Sequence, residues 1–107
     1  MTRKRRDANH GEIKSLYERL GCSVRDTADI PGALDLIVGY RGVDARVEIK
    51  DGSKIPSARK LTPAEQDEIE RWKGYPPAII ETTEDVHDHV HELGVASLVL
   101  AEQKRRS

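Results

Sequence analysis

The sequence predicts an α/β domain in which a mixed β-sheet is covered by helices. Short β-branched segments at residues 34–40 and 45–50 are bounded by glycines, as in a β-hairpin. Segments with helical apolar spacing stand before and after them, and this alternation is typical of a sheet flanked by helices. The expected order is helix, three strands, helix, strand and helix, and residues 95–101 are compatible with a final strand.

The first helix is predicted over residues 9–20. Gly21 follows it, in the position expected just beyond a helix C-terminus. Residues 22–27 are then expected to form a first strand, and residues 28–32 a turn. The inward face of the helix is predicted from apolar residues at i, i+3, i+4 and i+7, namely Ile13, Leu16, Tyr17 and Leu20.

The two following strands are predicted to be joined by a two-residue turn at Arg41 and Gly42. With that turn, cross-strand partners have numbers that sum to 83, so Asp35 faces Glu48. Two opposed carboxylates repel each other, which implies a compensating cation. Lys50 shares the face of Glu48, because side chains alternate along a strand.

The second helix carries a full set of start signals. Thr62 is a good N-cap, Pro63 suits the first helical position, and Glu65 completes a capping box. This helix is expected to run to about Lys73. A strand over residues 78–81 follows.

The third helix is predicted to begin at Thr82 or Thr83 and to end at Gly94. Its inward stripe is expected to consist of Val86, Val90 and Leu93. His87 and His91 are spaced i, i+4, which can bind zinc. No third ligand is evident nearby, so we expect an exposed, acidic, histidine-bearing helix face, and a zinc site is the alternative.

Length and composition indicate one small domain. The chain has 107 residues, of which 36% are hydrophobic and 35% charged, enough for a single modest core. No apolar run approaches the ~20 residues that cross a bilayer, so we expect a protein of the cytoplasm without membrane contact. Cys22 is the one cysteine, which excludes an internal disulfide and leaves a small buried residue or a nucleophile.

The net charge of -1 conceals an uneven distribution. Residues 1–8 form a basic N-terminal tail and residues 102–107 a basic C-terminal tail, around a single domain at 9–101. All nineteen acids lie between Asp7 and Glu102. Such basic ends are either solvated tails or contacts for a polyanion.

Asp35, Glu48 and Lys50 form a compact group of two anions and one cation in this interpretation. Mg²⁺ takes one or two protein carboxylates and completes its octahedron with water and phosphate oxygens. Such an ion activates water and neutralises charge on a phosphate, and a nearby lysine stabilises the charged intermediate. Alternating charges on a strand are also typical of a solvated face.

The spacing of these residues resembles a known nuclease signature. Asp35, twelve further residues and then Glu48-Ile49-Lys50 look like the PD-(D/E)XK motif. The segments IPGALDLIVGYRG, VEIKDG, LTPAEQ and ERWKG resemble the VRR-NUC branch, particularly its small stand-alone phage-type members. The resemblance covers about residues 10–85.

The resemblance implies a restriction-endonuclease-like core and a nuclease dependent on Mg²⁺ or Mn²⁺, in a bacterial or phage-infected cytoplasm. Asp35 and Glu48 would be metal ligands, together with the carbonyl of Ile49, and Lys50 the catalytic lysine. Two further site residues are implied. They are Glu12 as a further metal ligand, otherwise an exposed helix carboxylate, and Gln66 as a further catalytic residue, otherwise a surface residue.

The charge distribution favours DNA as the partner. Residues 41–60 are locally basic and adjoin the proposed site, so they are expected to contact phosphates without reading sequence; a mobile polar loop is the alternative. The N-terminal cluster would help. The expected DNA contacts are Arg3, Lys4, Arg5, Arg6, Arg41, Arg46, Lys54, Arg59 and Lys60.

The function expected from the sequence is hydrolysis of DNA phosphodiesters by a metal-dependent endonuclease, with water as the nucleophile. Selectivity for branched, Holliday-junction-like DNA is implied by the resemblance alone. A domain of this size would need a second copy to span such a substrate, so we expect a homodimer. The alternatives are an inactive nucleic-acid-binding or partner-binding module of the same fold and, within nucleases, an RNA substrate.

Overall fold

The computed structural model describes residues 6–106, and within them it contains three α-helices and a four-stranded mixed β-sheet. In chain order the elements are α1 (His10–Arg19), β1 (Ser23–Asp26), β2 (Leu36–Tyr40), β3 (Val43–Ile49), a 3₁₀ turn (Pro56–Arg59), α2 (Pro63–Arg71), β4 (Ala78–Ile80) and α3 (Thr83–Arg106). The predicted α/β class and the order as far as α3 are confirmed.

The sheet has the order β1-β2-β3-β4, with β1, β2 and β3 antiparallel and β4 parallel to β3. Arg41 and Gly42 have φ values of 50° and 85°, the left-handed conformations that a tight two-residue hairpin turn needs. The strands pair Tyr40 with Val43 and Leu36 with Val47. The predicted turn and register are therefore confirmed.

The hydrophobic core lies between one face of the sheet and the two helices α1 and α3. These helices pack against each other, α1 over β1 and α3 over β2, β3 and β4. The predicted inward residues of α1 lie in or against this core. The strands contribute alternate residues to the same core, as expected for a half-covered sheet, chiefly Leu36, Val38, Val43, Ala45, Val47, Ile49 and Ile80.

Helix α2 lies over the opposite face of the sheet and begins as predicted. Thr62 and Glu65 form a reciprocal capping box, with 3.1 Å from Glu65 N to Thr62 Oγ1 and 2.9 Å from Thr62 N to Glu65 Oε1. All nine residues of α2 are described, and none of them is buried. The helix is attached to the sheet through polar side chains, among them Arg46, which pairs with Glu68 at 2.6 Å and lies over Trp72.

Helix α3 corrects two expectations. It continues through Gly94 for 24 residues, so the predicted end at Gly94 and the final strand over residues 95–101 are both wrong. A glycine ends a helix by adopting a positive φ, whereas Gly94 is absent from the positive-φ glycines of residues 6–106. Residues 102–106, assigned from the sequence to a basic tail, are the last turn of this helix.

The start of α3 matches the prediction, because Thr82 Oγ1 accepts a hydrogen bond from Asp85 N at 3.2 Å and Asp85 Oδ2 accepts one from Thr82 N at 3.2 Å. Val86 and Leu93 are buried as expected, while Val90 is only partly buried. Among the described helices, none combines the length and the apolar character that a membrane crossing requires.

Candidate active site

Asp35 and Glu48 lie at one end of the β2–β3 hairpin. Asp35 directly precedes Leu36 and Glu48 directly follows Val47, and these two neighbours are paired across the ladder. Both carboxylates are buried, with exposed fractions of 3% for Asp35 and 1% for Glu48. The register therefore brings two buried acids to adjacent strands, as the turn arithmetic predicts.

The backbone around Asp35 is held in place by hydrogen bonds. Thr27 N donates to Asp35 O at 2.9 Å, and the Thr27 hydroxyl donates to Leu34 O at 2.6 Å. The Asp35 carboxylate in turn accepts a hydrogen bond from Ile49 N, with 2.8 Å between Ile49 N and Asp35 Oδ2. A buried carboxylate is thereby fixed against the end of β3.

Lys50 extends the cluster on the same face of β3 as Glu48. Its Nζ lies 3.6 Å from Glu48 Oε2 and 2.8 Å from Glu65 Oε1. Burial on its own would lower the pKa of Lys50, but the hydrogen bond to Glu65 and the charges of nearby carboxylates, first Glu65 and then Glu48, raise it above its usual value. Lys50 is therefore a fixed cation at neutral pH.

The Lys50 backbone is also pinned. Its N–H donates to Ile80 O at 3.0 Å, which continues the pairing of β3 with β4. Asn9 Nδ2 donates to both Lys50 O and Glu81 O, each at 3.1 Å. The start of α1 thus bridges the ends of the two parallel strands.

Glu65 belongs to this cluster, although the sequence predicts for it only a role in the capping box of α2. Its Oε1 accepts from both Thr62 N and Lys50 Nζ, so one carboxylate caps α2 and binds the lysine. Partial burial raises the pKa of Glu65, but the hydrogen bonds that it accepts from Lys50 and the Thr62 N–H outweigh this effect and hold that pKa at about 2. The capping motif placed Glu65 on the first turn of α2; no signal in the sequence placed that turn beside Lys50.

Gln66 and Glu12 are not brought to this cluster. Gln66 is exposed, and its Nε2 donates to Glu70 Oε1 on the same helix at 2.9 Å. Since Glu65 faces Lys50, the next residue of the helix is rotated by about 100° away from the sheet. Glu12 is exposed and lines a separate cavity with Asp51 and Glu81.

Most of the expected DNA-binding cations that the structure describes have acidic partners. Arg6 pairs with Asp26 and Asp29 at 3.2 Å each. The others are arranged as follows: Arg41 lies over the Tyr40 ring, Arg46 pairs with Glu68, Lys54 lies 3.8 Å from Asp7, Arg59 pairs with Glu81 and Lys60 is exposed. Arg3, Lys4 and Arg5 lie outside the described residues.

The histidine-rich segment of α3 divides between surface and core. His87 and His91 are exposed, which agrees with the alternative of a solvated face. His89 is buried, and its Nδ1 lies 2.6 Å from Tyr17 Oη. Burial raises the pKa of Tyr17 far above its usual value and lowers that of His89, so a protonated phenol and a neutral imidazole share this hydrogen bond.

A cavity of about 470 Å³ opens beside the cluster, between residues 28–34 and the first turn of α2. Glu65 and Glu68 lie on its wall, whereas neither Asp35 nor Glu48 lines it. Its walls are mainly apolar, through Ile30, Pro31 and Ala64. The cavity is therefore a neighbour of the acidic cluster and does not contain it.

The cluster holds three carboxylates and one ammonium group. Within residues 6–106, no set of three or more histidine, cysteine, aspartate or glutamate side chains is arranged to hold a metal ion. Hard carboxylate oxygens are nevertheless the donors that Mg²⁺ uses, and one or two of them suffice when water and phosphate supply the rest. The donor chemistry of Asp35 and Glu48 fits such an ion.

Comparison of the chain with models of protein families, with curated proteins and with solved structures found no match.

Proposed function

We propose that this protein is a metal-dependent endonuclease that hydrolyses DNA phosphodiesters, a VRR-NUC-type member of the PD-(D/E)XK nucleases with a restriction-endonuclease-like core. The observation that carries the proposal is the pair of buried acids Asp35 and Glu48 at the end of a two-stranded hairpin, with the partly buried Lys50 beside Glu48. The order of elements from α1 to β4 is the one that the resemblance implies, which supports the same assignment.

The proposed ligands of Mg²⁺ or Mn²⁺ are the carboxylates of Asp35 and Glu48 and the carbonyl of Ile49. When bound, such an ion lowers the pKa of a coordinated water and neutralises charge that develops on a phosphate. Asp35 is already oriented, because Ile49 N donates to it at 2.8 Å. Burial of both acids strengthens their electrostatic interaction with a cation.

Lys50 is proposed to stabilise the negative charge of the attacked phosphate. Its raised pKa keeps it charged at neutral pH, and an oriented cation beside developing charge lowers the barrier. Glu65 is assigned a positioning role, since it holds the Lys50 ammonium group at 2.8 Å. We do not assign a catalytic role to Gln66, and Glu12 is left out of the ligand set.

DNA is the proposed substrate, and selectivity for branched DNA is the finer part of the proposal. Lys60 is exposed, and the ion pair of Lys54 with Asp7, at 3.8 Å, is loose. Both lysines lie in the segment between β3 and α2. A phosphate backbone competes readily with such an exposed ion pair.

The test is cleavage of a four-way junction, a flap, a linear DNA duplex and an RNA duplex of equal length, each with Mg²⁺, Mn²⁺ or EDTA. Wild-type protein is expected to cut DNA with either metal and to cut the junction fastest. Lys50→Ala is expected to lower the rate by about a hundredfold. Lys73→Ala changes an exposed lysine outside the cluster and is the matched control.

Two results would contradict the proposal. If purified wild-type protein cuts none of the substrates with either metal but still retards them in a gel, the protein is a nucleic-acid-binding module. If Lys50→Ala cuts as fast as wild type, the site is elsewhere. Faster cutting of RNA than of DNA would replace the substrate class and leave the site assignment intact.

A further inference from the structure

The C-terminal half of α3 carries an exposed apolar face. The helix has 24 residues, a length of about 36 Å. Its N-terminal half is anchored in the core by Val86, His89 and Leu93. Ser97 Oγ donates to Arg41 O at 2.6 Å, which ties the middle of the helix to the hairpin turn.

Three large apolar side chains on this half share one face. Val95, Leu98 and Val99 follow the i, i+3, i+4 spacing of a single helical stripe. The exposed fraction of Leu98 is 70%, and about half of each valine is exposed. The core residues Val86 and Leu93 lie roughly opposite on the helix, so this stripe faces away from the protein's own core.

Along the axis of α3, negative charges precede this apolar stripe and positive charges follow it. The first half of the helix carries acids without a lysine or arginine, namely Glu84, Asp85, Asp88 and Glu92. The last turn carries Lys104, Arg105 and Arg106. Asp88 and Arg106 are equidistant from position 97, the midpoint between Val95 and Val99, and both lie on the face of the stripe.

This charge pattern is complementary to itself when two copies of the helix run antiparallel. If two copies of α3 pack antiparallel about a two-fold axis near position 97, Val95 of one copy meets Val99 of the other and the Leu98 side chains pack beside the axis. The same register places Arg106 opposite Asp88. A two-fold interface requires a patch that complements itself, and opposite charges flanking an apolar stripe fix the orientation of paired helices.

One like-charge pair arises in this register, because Glu102 faces Glu92. Glu102 is already neutralised within its own helix by Arg105 and Arg106, the latter at 3.0 Å. These arginines are exposed, and exposed ion pairs are weak and rearrange easily. Arg106 is thus available to bridge Glu102 and the opposing Asp88.

We propose that the chain forms a homodimer in which the C-terminal halves of two α3 helices pack antiparallel through Val95, Leu98 and Val99. The occupant of the exposed stripe is a second copy of the same helix, because the charge pattern of α3 complements itself. This inference does not depend on the nuclease proposal, since it uses no residue of the acidic cluster.

Sedimentation equilibrium of the full chain measures the proposed association. Wild type is expected to have twice the chain mass at micromolar concentration. Leu98→Glu places a charge on the stripe in both copies and should raise the dissociation constant by about a hundredfold. Ile55→Glu is the matched control, because Ile55 is equally exposed at 68% but lies outside α3.

A wild-type chain that is still monomeric at about 100 µM, well above the dissociation constants typical of stable dimers, would overturn the dimer. Equal weakening by Ile55→Glu would also overturn it, since the association would then be non-specific. Circular dichroism of each variant checks that the helix content is unchanged, and Leu98 is exposed enough for the monomer to keep its fold.

Disulfide trapping tests the antiparallel orientation. A mixture of the Val95→Cys and Val99→Cys variants is expected to form a mixed disulfide faster than either variant forms one with itself. The wild-type chain, whose Cys22 is buried, controls for background oxidation. Faster self-linking of each variant would show parallel helices and overturn the proposed geometry.

Discussion

Lys50 Nζ lies 2.8 Å from Glu65 Oε1, and the two side chains are only 13% and 12% exposed. The end of β3 and the first turn of α2 are therefore joined by an ion pair that is largely shielded from solvent. Glu65 therefore completes the capping box of α2 and also fixes the position of Lys50 in the candidate site.

Replacing Glu65 separates these two tasks. Glu65→Gln keeps a side chain that can complete the capping box, because glutamine serves at the third helical position as well as glutamate. It removes the negative charge beside Lys50, so DNA cleavage in Mg²⁺ should fall by about tenfold and the pKa of Lys50 should fall as well. NMR titration of the lysine reports the second effect independently of activity.

Gln66→Ala is the matched control for that variant, since it changes the neighbouring exposed residue of the same helix. Its cleavage rate should stay close to that of wild type. A larger loss with Gln66→Ala than with Glu65→Gln would assign the site to the residue that the family resemblance implies and would contradict the arrangement described above.

Two glycines should respond to alanine in opposite directions. An added Cβ at Gly94 would lie 3.7 Å from Tyr40 Cε2, an ordinary contact, so Gly94→Ala should raise the free energy of unfolding by about 0.5–1 kcal/mol through helix propensity. At Gly52 the added Cβ would lie 2.9 Å from the carbonyl oxygen of Glu81, so Gly52→Ala should lower it. Urea denaturation measures the free energy of unfolding of both variants. A Gly52→Ala variant more stable than wild type would contradict the close contact between residue 52 and the Glu81 carbonyl.

Stability should decrease as the pH falls below about 6.5, the usual pKa of histidine. Burial lowers the pKa of His89 in the folded protein, an effect that Glu92 opposes in part. The unfolded chain then binds a proton at a pH where the folded chain does not. The free energy of unfolding therefore decreases as the pH is lowered. Denaturation at several pH values between 7.5 and 5 should show this slope.

The slope should flatten in His89→Gln and persist in His91→Gln, because His91 is exposed on the same helix. An unchanged slope in His89→Gln would assign the effect to another group. Tyr17→Phe removes the hydrogen-bond partner of His89 Nδ1 and should lower the free energy of unfolding by about 1 kcal/mol at pH 7.5.

A second loss of stability, at lower pH than that of His89, should come from protonation of Asp26. Burial raises the pKa of this carboxyl group, but hydrogen bonds from the Ala28 N–H, His10 and Arg6 outweigh it and lower the pKa to about 2. The stabilising contribution, about 1–2 kcal/mol, is present above the unfolded pKa and is lost as the pH falls through the folded one. Asp26→Asn should reduce the acid sensitivity between about pH 4 and pH 2, whereas Asp67→Asn, on the exposed face of α2, should leave it unchanged.

The sequence predicts those parts of the fold that depend on local signals. The two-residue turn sets the β2–β3 register, and Thr62 with Glu65 sets the start of α2. Both need only neighbouring residues. The predicted helix end at Gly94 is wrong for the same reason: a glycine followed by an apolar run is a local stop signal, and the packing of α3 on the sheet overrides it.

The sequence cannot predict partners that are distant along the chain. His89 is a polar residue between the apolar Val86 and Val90, and only the fold brings it to Tyr17, which lies 72 positions earlier in the chain. The choice between Glu65 and Gln66 depends on how α2 is rotated over the sheet, which a one-residue difference in helical phase decides.

The parallel pairing of β3 with β4 has a consequence for how the chain folds. The β2–β3 hairpin closes through two residues, whereas β4 reaches β3 only after the connection formed by residues 50–77. Closing a longer loop loses more chain entropy, and contacts distant in sequence form more slowly. We therefore expect the hairpin to form early with Asp35 and Glu48 already adjacent, and β4 to dock late. Pulse-labelling hydrogen exchange should detect protection in β2 and β3 before β4, and simultaneous protection would contradict this order.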